Sequence, residues 1–260
     1  MRAWFKMYIR IILLLLFFVN QVNAKDIISS YVVLDSNSGT VLLENNSKSI
    51  KQIASLTKIW TALLVLENCN LDSIVKISKK ASIQEGSSIY LKENEEYKVR
   101  DLVYGMLLRS GNDAAVALAE YTFGSEEKFV EIMNKKTKEL GLENTKFVDA
   151  TGLGNNTSTA NDVANMLNIA LNNYKFKGIS SKLSYKNSLN GQFWKNKHKL
   201  IGKSIYNAIS GKTGYTKEAG RTLATAFKHD SKTYIVVTLN EKDDWNIHEL
   251  LVSKVFAKVN

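Results

Sequence analysis

Proline is absent from all 260 residues, and cysteine occurs once, as Cys69. Turns must therefore rely on Gly, Asn, Asp and Ser, and a single cysteine excludes an internal disulfide. The three histidines, His198, His229 and His248, are far apart and lack HxxH or HxxxH spacing. The sequence thus gives no indication of a zinc site. A GxxxxGK[ST] loop is also absent, so the sequence gives no indication of a site for nucleotide phosphates.

The sequence also lacks an apolar run long enough to span a bilayer, which takes ~20 residues. Its longest run, residues 11–19, follows three basic residues and precedes a polar stretch that ends at Ala24. This three-part pattern is typical of a secretory signal peptide over residues 1–24. We therefore expect an exported protein whose mature chain is residues 25–260.

Positive charge exceeds negative charge, with 35 Lys and Arg residues against 25 Asp and Glu residues. Removing residues 1–24, which hold three basic residues and no acidic one, lowers the net charge from +10 to +7. The lysines are scattered and are not interleaved with aromatic residues, so no nucleic-acid partner is expected. A weak attraction to anionic wall polymers or to a membrane surface is expected instead.

Hydrophobic periodicity predicts strands at both chain ends and helices between them. The predicted elements are strands 31–34 and 40–43, helices 56–67, 101–108, 113–122, 125–140 and 159–172, strands 222–227 and 233–239, and a final helix 245–259. Gly111 and Asn112 permit a tight turn between the second and third of these helices. An apolar stripe along the last helix, which includes Leu250, is expected to pack that helix on a sheet. The pattern indicates one antiparallel sheet with an inserted helical lobe, about residues 75–175, and a site in the cleft between them.

Three short motifs follow one another along the chain: SxxK at residues 55–58, SxN at 110–112 and KTG at 212–214. Each is weak alone, because SxxK recurs at residues 73–76 and 125–128. Context separates the copies, since only the first opens a helix that is apolar almost all round. The ordered set of three motifs is the informative feature.

These motifs carry residues suited to nucleophilic catalysis. Lys58 lies one helical turn after Ser55 and could take the proton of its hydroxyl, but only as a neutral amine. Burial on an apolar helix and repulsion from a second cation, Lys212, would lower the pKa of Lys58. Gly214 would let a substrate backbone approach closely, while Lys212 and Thr213 would meet a carboxylate. An alternative interpretation of the KTG motif is a turn with an exposed lysine.

The same three motifs are the shared signature of penicillin-binding proteins and class A β-lactamases. Residues 54–58, 108–115 and 212–220 closely resemble the low-mass D-alanyl-D-alanine carboxypeptidases, and the similarity covers nearly the whole mature chain. The resemblance implies a β-lactamase/transpeptidase-like fold of the α/β class (α+β type), in which helices flank an antiparallel sheet and a helical lobe is inserted. It also implies removal of the terminal D-alanine from peptidoglycan stem peptides, penicillin binding and no cofactor.

The resemblance implies roles for eight residues: Ser55 as nucleophile, Lys58 as general base, Ser110 and Asn112 in proton relay and in holding the substrate amide, Lys212, Thr213 and Gly214 at the terminal carboxylate and peptide strand, and Tyr215, with Ser55, as backbone donors to the oxyanion. β-Lactam antibiotics are expected as covalent inhibitors. The expected location is the periplasm or the outer face of the cytoplasmic membrane of a bacterium.

Three alternatives stay open at this point. A peptidoglycan DD-endopeptidase uses the same catalytic set in a differently shaped cleft. A class A β-lactamase needs a glutamate after the SxN element, but residues 139–144 do not match its ExxLN pattern. A non-catalytic wall-binding protein would keep the fold without turnover. The chain is also expected to lack the β-rich C-terminal domain and membrane-associating tail of many relatives.

Overall fold

Eleven strands and eight helices make up the regular structure of residues 30–259, which are the residues that this computed structural model describes. The strands are β1 (Ser30–Asp35), β2 (Val41–Asn45), β3 (Lys51–Gln52), β4 (Ile74–Lys76), β5 (Glu96–Lys98), β6 (Thr157–Ser158), β7 (Ser184–Lys186), β8 (Phe193–Lys195), β9 (Ala208–Thr216), β10 (Gly220–His229) and β11 (Lys232–Leu239). The helices are α1 (Thr57–Asn68), α2 (Lys79–Ser82), α3 (Val99–Arg109), α4 (Asn112–Phe123), α5 (Glu126–Glu139), α6 (Ala160–Leu171), α7 (Tyr174–Ser180) and α8 (Asp244–Val259). The predicted signal peptide, residues 1–24, lies outside the described residues.

Five of the strands form one antiparallel sheet in the order β2-β1-β11-β10-β9. Val33 of β1 pairs with Val236 of β11, so strands from the two ends of the chain lie side by side. At the edge, β9 pairs with β10 and places Gly214 opposite Thr222. The predicted antiparallel sheet built from both chain ends is therefore confirmed.

Side chains alternate between the two faces of this sheet, as the period of a β-strand requires. On β11, Ile235 and Val237 pack into the larger hydrophobic core with the helices. Tyr234 and Val236 point the other way and pack against α8. The sheet thus has α8 on one face and the other helices on the opposite face, which confirms the predicted fold class.

Helix α1 is the centre of the helical side. Residues 57–66 are all buried, and α3, α4, α5, α6 and α7 pack around them. The indole of Trp60 donates a hydrogen bond to the carbonyl oxygen of Met133 at 3.2 Å, which satisfies its polar atom inside the core. This confirms the prediction of an apolar helix that belongs inside a domain.

One alternative interpretation and one prediction from the sequence are wrong in detail. The KTG motif does not form a turn with an exposed lysine, because it lies within β9 and Lys212 is only 2% exposed. On α8, Leu250 is 46% exposed, whereas Val252 and Phe256 pack with Ile247 against the sheet. The buried stripe is rotated around the helix so that Leu250 falls on the solvent side. Within residues 30–259, none of the helices has the length and apolarity needed to cross a bilayer.

Candidate active site

Ser55 lies in a 3-10 turn, Ala54–Leu56, that leads directly into α1. Ala54 adopts a φ of +47°, a left-handed conformation that costs ~1 kcal/mol or more for a residue with a side chain. Gly152 packs against this turn, since a Cβ atom there would lie 2.0 Å from the carbonyl oxygen of Ala54. Backbone contact with Gly152 therefore fixes the position of Ser55 at the start of the helix.

The amine of Lys58 is completely buried and reaches three oxygen atoms. Its Nζ lies 3.0 Å from Oγ of Ser55, 2.7 Å from Oδ1 of Asn112 and 2.5 Å from the carbonyl oxygen of Thr151. A neutral amine has two hydrogens and one lone pair, so it can donate to Asn112 and Thr151 while it accepts the hydroxyl proton of Ser55. This geometry is the one that a general base for Ser55 requires.

Burial lowers the pKa of Lys58 from its ordinary value to about 7. The carboxylate of Asp149 opposes this shift, and the charge of Lys197 adds to it. Lys58 and Lys212 repel one another, and this repulsion lowers the pKa of Lys212. The main cause of the lowered pKa of Lys58 is loss of hydration, to which the charge of Lys197 adds.

Ser110 ends α3 in the left-handed conformation with a φ of +65°. The turn at the SxN motif therefore depends on Ser110, whereas the sequence pointed to Gly111 and Asn112. The side chain of Ser110 is buried, and its Oγ accepts a hydrogen bond from Nζ of Lys212 at 2.9 Å. This bond links the second motif to the third.

Asn112 and Asp113 tie a neighbouring loop to the start of α4. Nδ2 of Asn112 donates to the carbonyl oxygen of Glu85 at 2.6 Å. The buried carboxylate of Asp113 accepts hydrogen bonds from the backbone N–H groups of Ile89 and Leu91 at 3.0 and 3.1 Å. Asn112 is thereby held between this loop and Lys58, with its oxygen toward the lysine.

Lys212 is buried at the edge of the sheet, on β9. Its Nζ donates to Ser110 and, at 2.7 Å, to the carbonyl oxygen of Thr213. Burial lowers its pKa well below the usual range, and the charges of Lys58 and Lys197 lower it further. A second buried amine thus stands on the far side of the SxN motif from Lys58.

Gly214 brings the strand close to Ser55. A Cβ atom at this position would lie 3.0 Å from the backbone nitrogen of Ser55 and 2.4 Å from Oγ1 of Thr222. Only glycine leaves room for that approach. Tyr215 follows with its side chain exposed to solvent.

One cavity of about 280 Å³ joins the motifs, and Ser55, Ser110, Thr213, Gly214 and Tyr215 line it. We call it the Ser55 cavity. The other three predicted site residues, at positions 58, 112 and 212, stand behind its wall and reach it through their hydrogen bonds to serine. The structure therefore brings all eight predicted residues together.

Six further residues line the same cavity without belonging to any motif, namely Ser87, Lys197, Lys199, Arg221, Asp244 and Trp245. Nη2 of Arg221 lies 2.7 Å from Oδ1 of Asp244, whose side chain is buried. Arg221 lies directly opposite Tyr215 across the β9–β10 hairpin, but the sequence did not predict β9 and so gave no signal for Arg221. The others come from loops and from α8, and no local pattern marks them.

Fold and cavity together define a class. A serine at the start of a buried helix, with an amine of lowered pKa beside it and an antiparallel strand along the cavity, is the arrangement of the penicillin-binding serine enzymes. Within residues 30–259, no three His, Cys, Asp or Glu side chains gather as metal ligands would.

Comparison with known proteins gives the family within that class. Residues 19–243 match the family described as D-alanyl-D-alanine carboxypeptidase, Peptidase_S11. The chain is 39% identical over 220 residues to D-alanyl-D-alanine carboxypeptidase DacF of Bacillus subtilis, covering 80% of this chain and 56% of the relative. It is 34% identical over 218 residues to a D-alanyl-D-alanine endopeptidase of Haemophilus influenzae, covering 81% and 75% of the two chains.

A solved structure agrees with these similarities. The crystal structure of a D-alanyl-D-alanine carboxypeptidase from Mycobacterium tuberculosis superposes with a TM-score of 0.84 at 30% identity, covering 89% of this chain and 91% of that one. The chain belongs to the D-alanyl-D-alanine carboxypeptidase family, Peptidase_S11. It spans just over half the length of the carboxypeptidase DacF and three quarters of the length of the endopeptidase.

Proposed function

We propose that this protein is a serine-type D-Ala-D-Ala carboxypeptidase, which removes the terminal D-alanine from peptidoglycan stem peptides through an acyl-enzyme on Ser55. The observation that carries the proposal is the 3.0 Å contact between Oγ of Ser55 and the buried amine of Lys58, whose pKa is lowered to about 7. An amine that is half deprotonated near neutral pH can act as a base, and few structural lysines meet that condition.

Acylation begins when Lys58 takes the hydroxyl proton of Ser55. Oγ of Ser55 then bonds to the carbonyl carbon of the penultimate D-alanine, and the carbonyl oxygen becomes an oxyanion that the N–H groups of Ser55 and Tyr215 stabilise. The C–N bond breaks, and the leaving nitrogen receives the proton that Lys58 took from Ser55, relayed through Ser110, so Lys58 is neutral again. Free D-alanine departs, and the peptide remains as an ester on Ser55.

Deacylation repeats these steps with water as the nucleophile. Water loses a proton to Lys58 and attacks the ester carbon, and Oγ of Ser55 leaves with a proton returned from the lysine. The shortened peptide is released and the free enzyme is restored. Asn112, whose oxygen faces Lys58 at 2.7 Å, holds the amine in place and offers its amide group to the substrate backbone.

The substrate's terminal carboxylate is assigned to the cationic part of the Ser55 cavity. Lys212 lies behind the cavity and Thr213 contributes a hydroxyl to its wall. Charge-assisted hydrogen bonds of this kind are roughly twice as strong as neutral ones. A free carboxylate next to the scissile bond would therefore be recognised before acylation.

A fluorescent penicillin tests the nucleophile. The mature protein should gain one covalent label by intact mass, and Ser55→Ala should gain none. Ser73→Ala, which alters the second SxxK copy, is the matched control and should label like the native protein. If neither the native protein nor the control is labelled, or if Ser55→Ala is labelled, the proposed function is wrong.

A second candidate function is a DD-endopeptidase, because proteins with that name are as much as 34% identical to this chain. Both activities use the same acyl-enzyme and differ in the group that leaves. A linear pentapeptide and a cross-linked muropeptide dimer distinguish them when product masses are followed. Release of D-alanine from the pentapeptide supports the carboxypeptidase, and cleavage of the dimer alone supports the endopeptidase.

The remaining features of the proposal concern the whole protein. Residues 25–260 would form the catalytic domain after removal of residues 1–24, with a helical lobe over about residues 75–175. The enzyme would act in the periplasm or at the outer face of the cytoplasmic membrane, with weak association to the membrane surface through its excess of lysine. β-Lactams would acylate Ser55, and the acyl-enzyme would hydrolyse slowly, whereas a β-lactamase would hydrolyse it quickly. A non-catalytic wall-binding protein would show no turnover of peptide substrates.

A further inference from the structure

His198 is one of two histidines buried beside β10, and neither the motifs nor the proposed reaction gives it a role. His198 and His248 are 3% and 0% exposed. Oγ1 of Thr225 lies between their rings, 3.0 Å from Nε2 of His198 and 2.9 Å from Nδ1 of His248. His248 belongs to α8, and its Nε2 lies 3.0 Å from Oγ1 of Thr238 on β11. The two rings therefore join α8 to the middle of the sheet through buried hydrogen bonds.

The imidazole of His198 is held as a neutral ring. Its Nε2 lies 3.3 Å from the carbonyl oxygen of Ala224, which can only accept a hydrogen bond, so Nε2 carries the proton. Nδ1 is buried and has no hydrogen-bond partner among the described residues. Burial lowers the pKa of His198 to about 3, the charge of Lys212 adds to this shift, and the hydrogen bond to Ala224 opposes it. The ring therefore carries no charge near neutral pH.

The ring lies directly against the strand that carries the KTG motif. A Cβ atom at Gly211 would lie 2.5 Å from Nε2 of His198, so the ring occupies space that a larger residue at position 211 would need. Gly211 and Lys212 lie opposite Thr225 and Ala224 in the β9–β10 ladder, and these are the two residues that Nε2 contacts. Because neighbouring positions of a strand face opposite sides of the sheet, His198 supports β9 from behind Lys212.

The same residue anchors two cations at the Ser55 cavity. Lys197 and Lys199, the neighbours of His198, are exposed and line that cavity, while His198 between them is buried. The backbone N–H of Lys197 donates to the carbonyl oxygen of Leu108 at 3.0 Å, and the backbone N–H of His198 donates to Oδ1 of Asn196 at 2.9 Å. A displacement of the His198 ring would therefore move both lysines.

Trp245 holds His198 from the side of α8. It lines the Ser55 cavity, and its ring meets that of His198 edge to face, with centroids 5.3 Å apart and an interplanar angle of 77°. Aromatic rings prefer this arrangement. Nζ of Lys199 lies 5.8 Å from the centre of the same indole. His198 is thus packed between β9, β10 and α8, directly behind the wall of the cavity.

We propose that His198 is a positioning residue of the active site, whose imidazole holds β9 in place behind Lys212 and keeps its two lysine neighbours at the Ser55 cavity. The inference rests on the proposed function, which assigns the terminal carboxylate of the substrate to Lys212 and Thr213 on β9. His198 touches no reacting atom. Its loss should therefore weaken substrate binding and leave the nucleophile and its base, at the start of α1, intact.

Steady-state release of D-alanine from a diacetylated Lys-D-Ala-D-Ala peptide tests the proposal. His198→Leu keeps much of the volume of the ring and removes both nitrogen atoms. Its KM should rise about tenfold, as a small misplacement of binding groups can cause, with kcat within about threefold of the native value. His198→Gln, whose amide nitrogen can take the place of Nε2, should restore most of the native KM. Titration with saturating fluorescent penicillin gives the concentration of active enzyme in each preparation.

His248→Leu is the matched control, because it also removes a buried histidine from Thr225 but its hydrogen bonds lie on β10 and β11. Both leucine variants should unfold at lower urea concentration than the native protein, since each loses buried hydrogen bonds. Only His198→Leu should raise KM. Thr225→Val keeps the shape of the side chain and removes the hydroxyl between the two rings, and it should raise KM about threefold.

The outcomes separate this inference from the proposed function. If KM of His198→Leu stays within about twofold of the native value, or if His248→Leu raises KM equally, His198 is only structural, while D-alanine release by the native enzyme still supports the proposed function. If His198→Leu yields no folded enzyme, Thr225→Val decides, since an unchanged KM overturns the inference and a raised KM supports it. If the native protein releases no D-alanine and binds no penicillin, the proposed function fails, and this inference fails with it.

Discussion

Nζ of Lys58 and Oδ1 of Asn112 lie 2.7 Å apart, and this contact joins residues 54 positions apart in the chain. The contact between Lys212 and Ser110, at 2.9 Å, does the same for the second and third motifs. The SxN element therefore stands between two buried amines and touches both. Both amines have a lowered pKa. Because the charge of Lys58 contributes to the lowered pKa of Lys212, the protonation states of the two amines are coupled.

Lys58→Met tests the proposed base, because methionine keeps the unbranched shape of the side chain and removes the amine. The second-order rate of fluorescent-penicillin acylation should fall by about 10²–10⁴, the usual contribution of a general base. Lys76→Met, in the second SxxK copy, should retain the native rate. A Lys58→Met protein that reacts within tenfold of the native rate would mean that Ser55 is activated by another group.

The pH dependence of acylation should follow the pKa of Lys58, which burial lowers to about 7. The neutral amine is the active form, so the rate should rise with pH and level off above about pH 8. At pH 6 it should be about tenfold below the plateau, since only that fraction of the amine is deprotonated. Stopped-flow acylation from pH 5.5 to 9 measures this profile. A rate that falls as pH rises from 6 to 8 would contradict the assignment.

Much of the fold follows from periodicity because the long elements have clear patterns. The burial of α1 and the starts of α5 and α6, near residues 125 and 159, were predicted from the sequence. The strand β9 was not, because its residues 210–216 are mostly small or polar and show no alternation. Its pairing with β10 decides the structure there, which is a tertiary effect that local propensity does not report.

The residues of the site also fall into those that the sequence predicts and those that it does not. The motif residues could be predicted because each motif is short and ordered along the chain. Asp149, Lys197 and Arg221 could not, because their effect on the site depends on distance in space. Asp149 opposes the pKa shift of Lys58 and also accepts a hydrogen bond from the N–H of Gly152 at 2.6 Å. Asp149 comes near Lys58 only when the chain has folded.

Gly152→Ala should disturb Ser55 through the backbone. The new Cβ would lie 2.0 Å from the carbonyl oxygen of Ala54, which cannot yield without moving the nucleophile. Gly141→Ala is the matched control, because both glycines have positive φ (85° and 71°) and Gly141 has open space around its Cβ position. The conformational strain, ~1–2 kcal/mol, is common to both variants.

Gly152→Ala should therefore lose at least about tenfold in penicillin acylation, which corresponds to ~1.4 kcal/mol, and should unfold at lower urea concentration than Gly141→Ala. Urea titrations and acylation rates on both variants measure the difference. Equal behaviour of the two would show that the contact with Ala54 relaxes without moving Ser55.

The ion pair between Arg221 and Asp244 gives a stability prediction at the rim of the cavity. Burial raises the pKa of Asp244, and Arg221 opposes that rise. Arg221→Gln would leave a buried carboxylate without its partner and should cost ~1–3 kcal/mol of unfolding free energy. The loss of unfolding free energy should be larger at pH 8 than at pH 5. Without Arg221, the pKa of Asp244 in the folded state rises further above its value in the unfolded state. Such an acid loses stability as the pH rises from its unfolded-state pKa to its folded-state pKa.

A double-mutant cycle isolates this pair. Asp244→Asn combined with Arg221→Gln should be less destabilised than the sum of the two single variants, since neither charge is then left alone. Arg100→Gln is the matched control: it breaks an exposed pair with Asp72 at 3.4 Å, which should cost less than ~1 kcal/mol at either pH. Urea unfolding at pH 5 and pH 8 provides all the values. Additive effects of the two substitutions, or a cost that does not change with pH, would mean that solvent already compensates the carboxylate of Asp244.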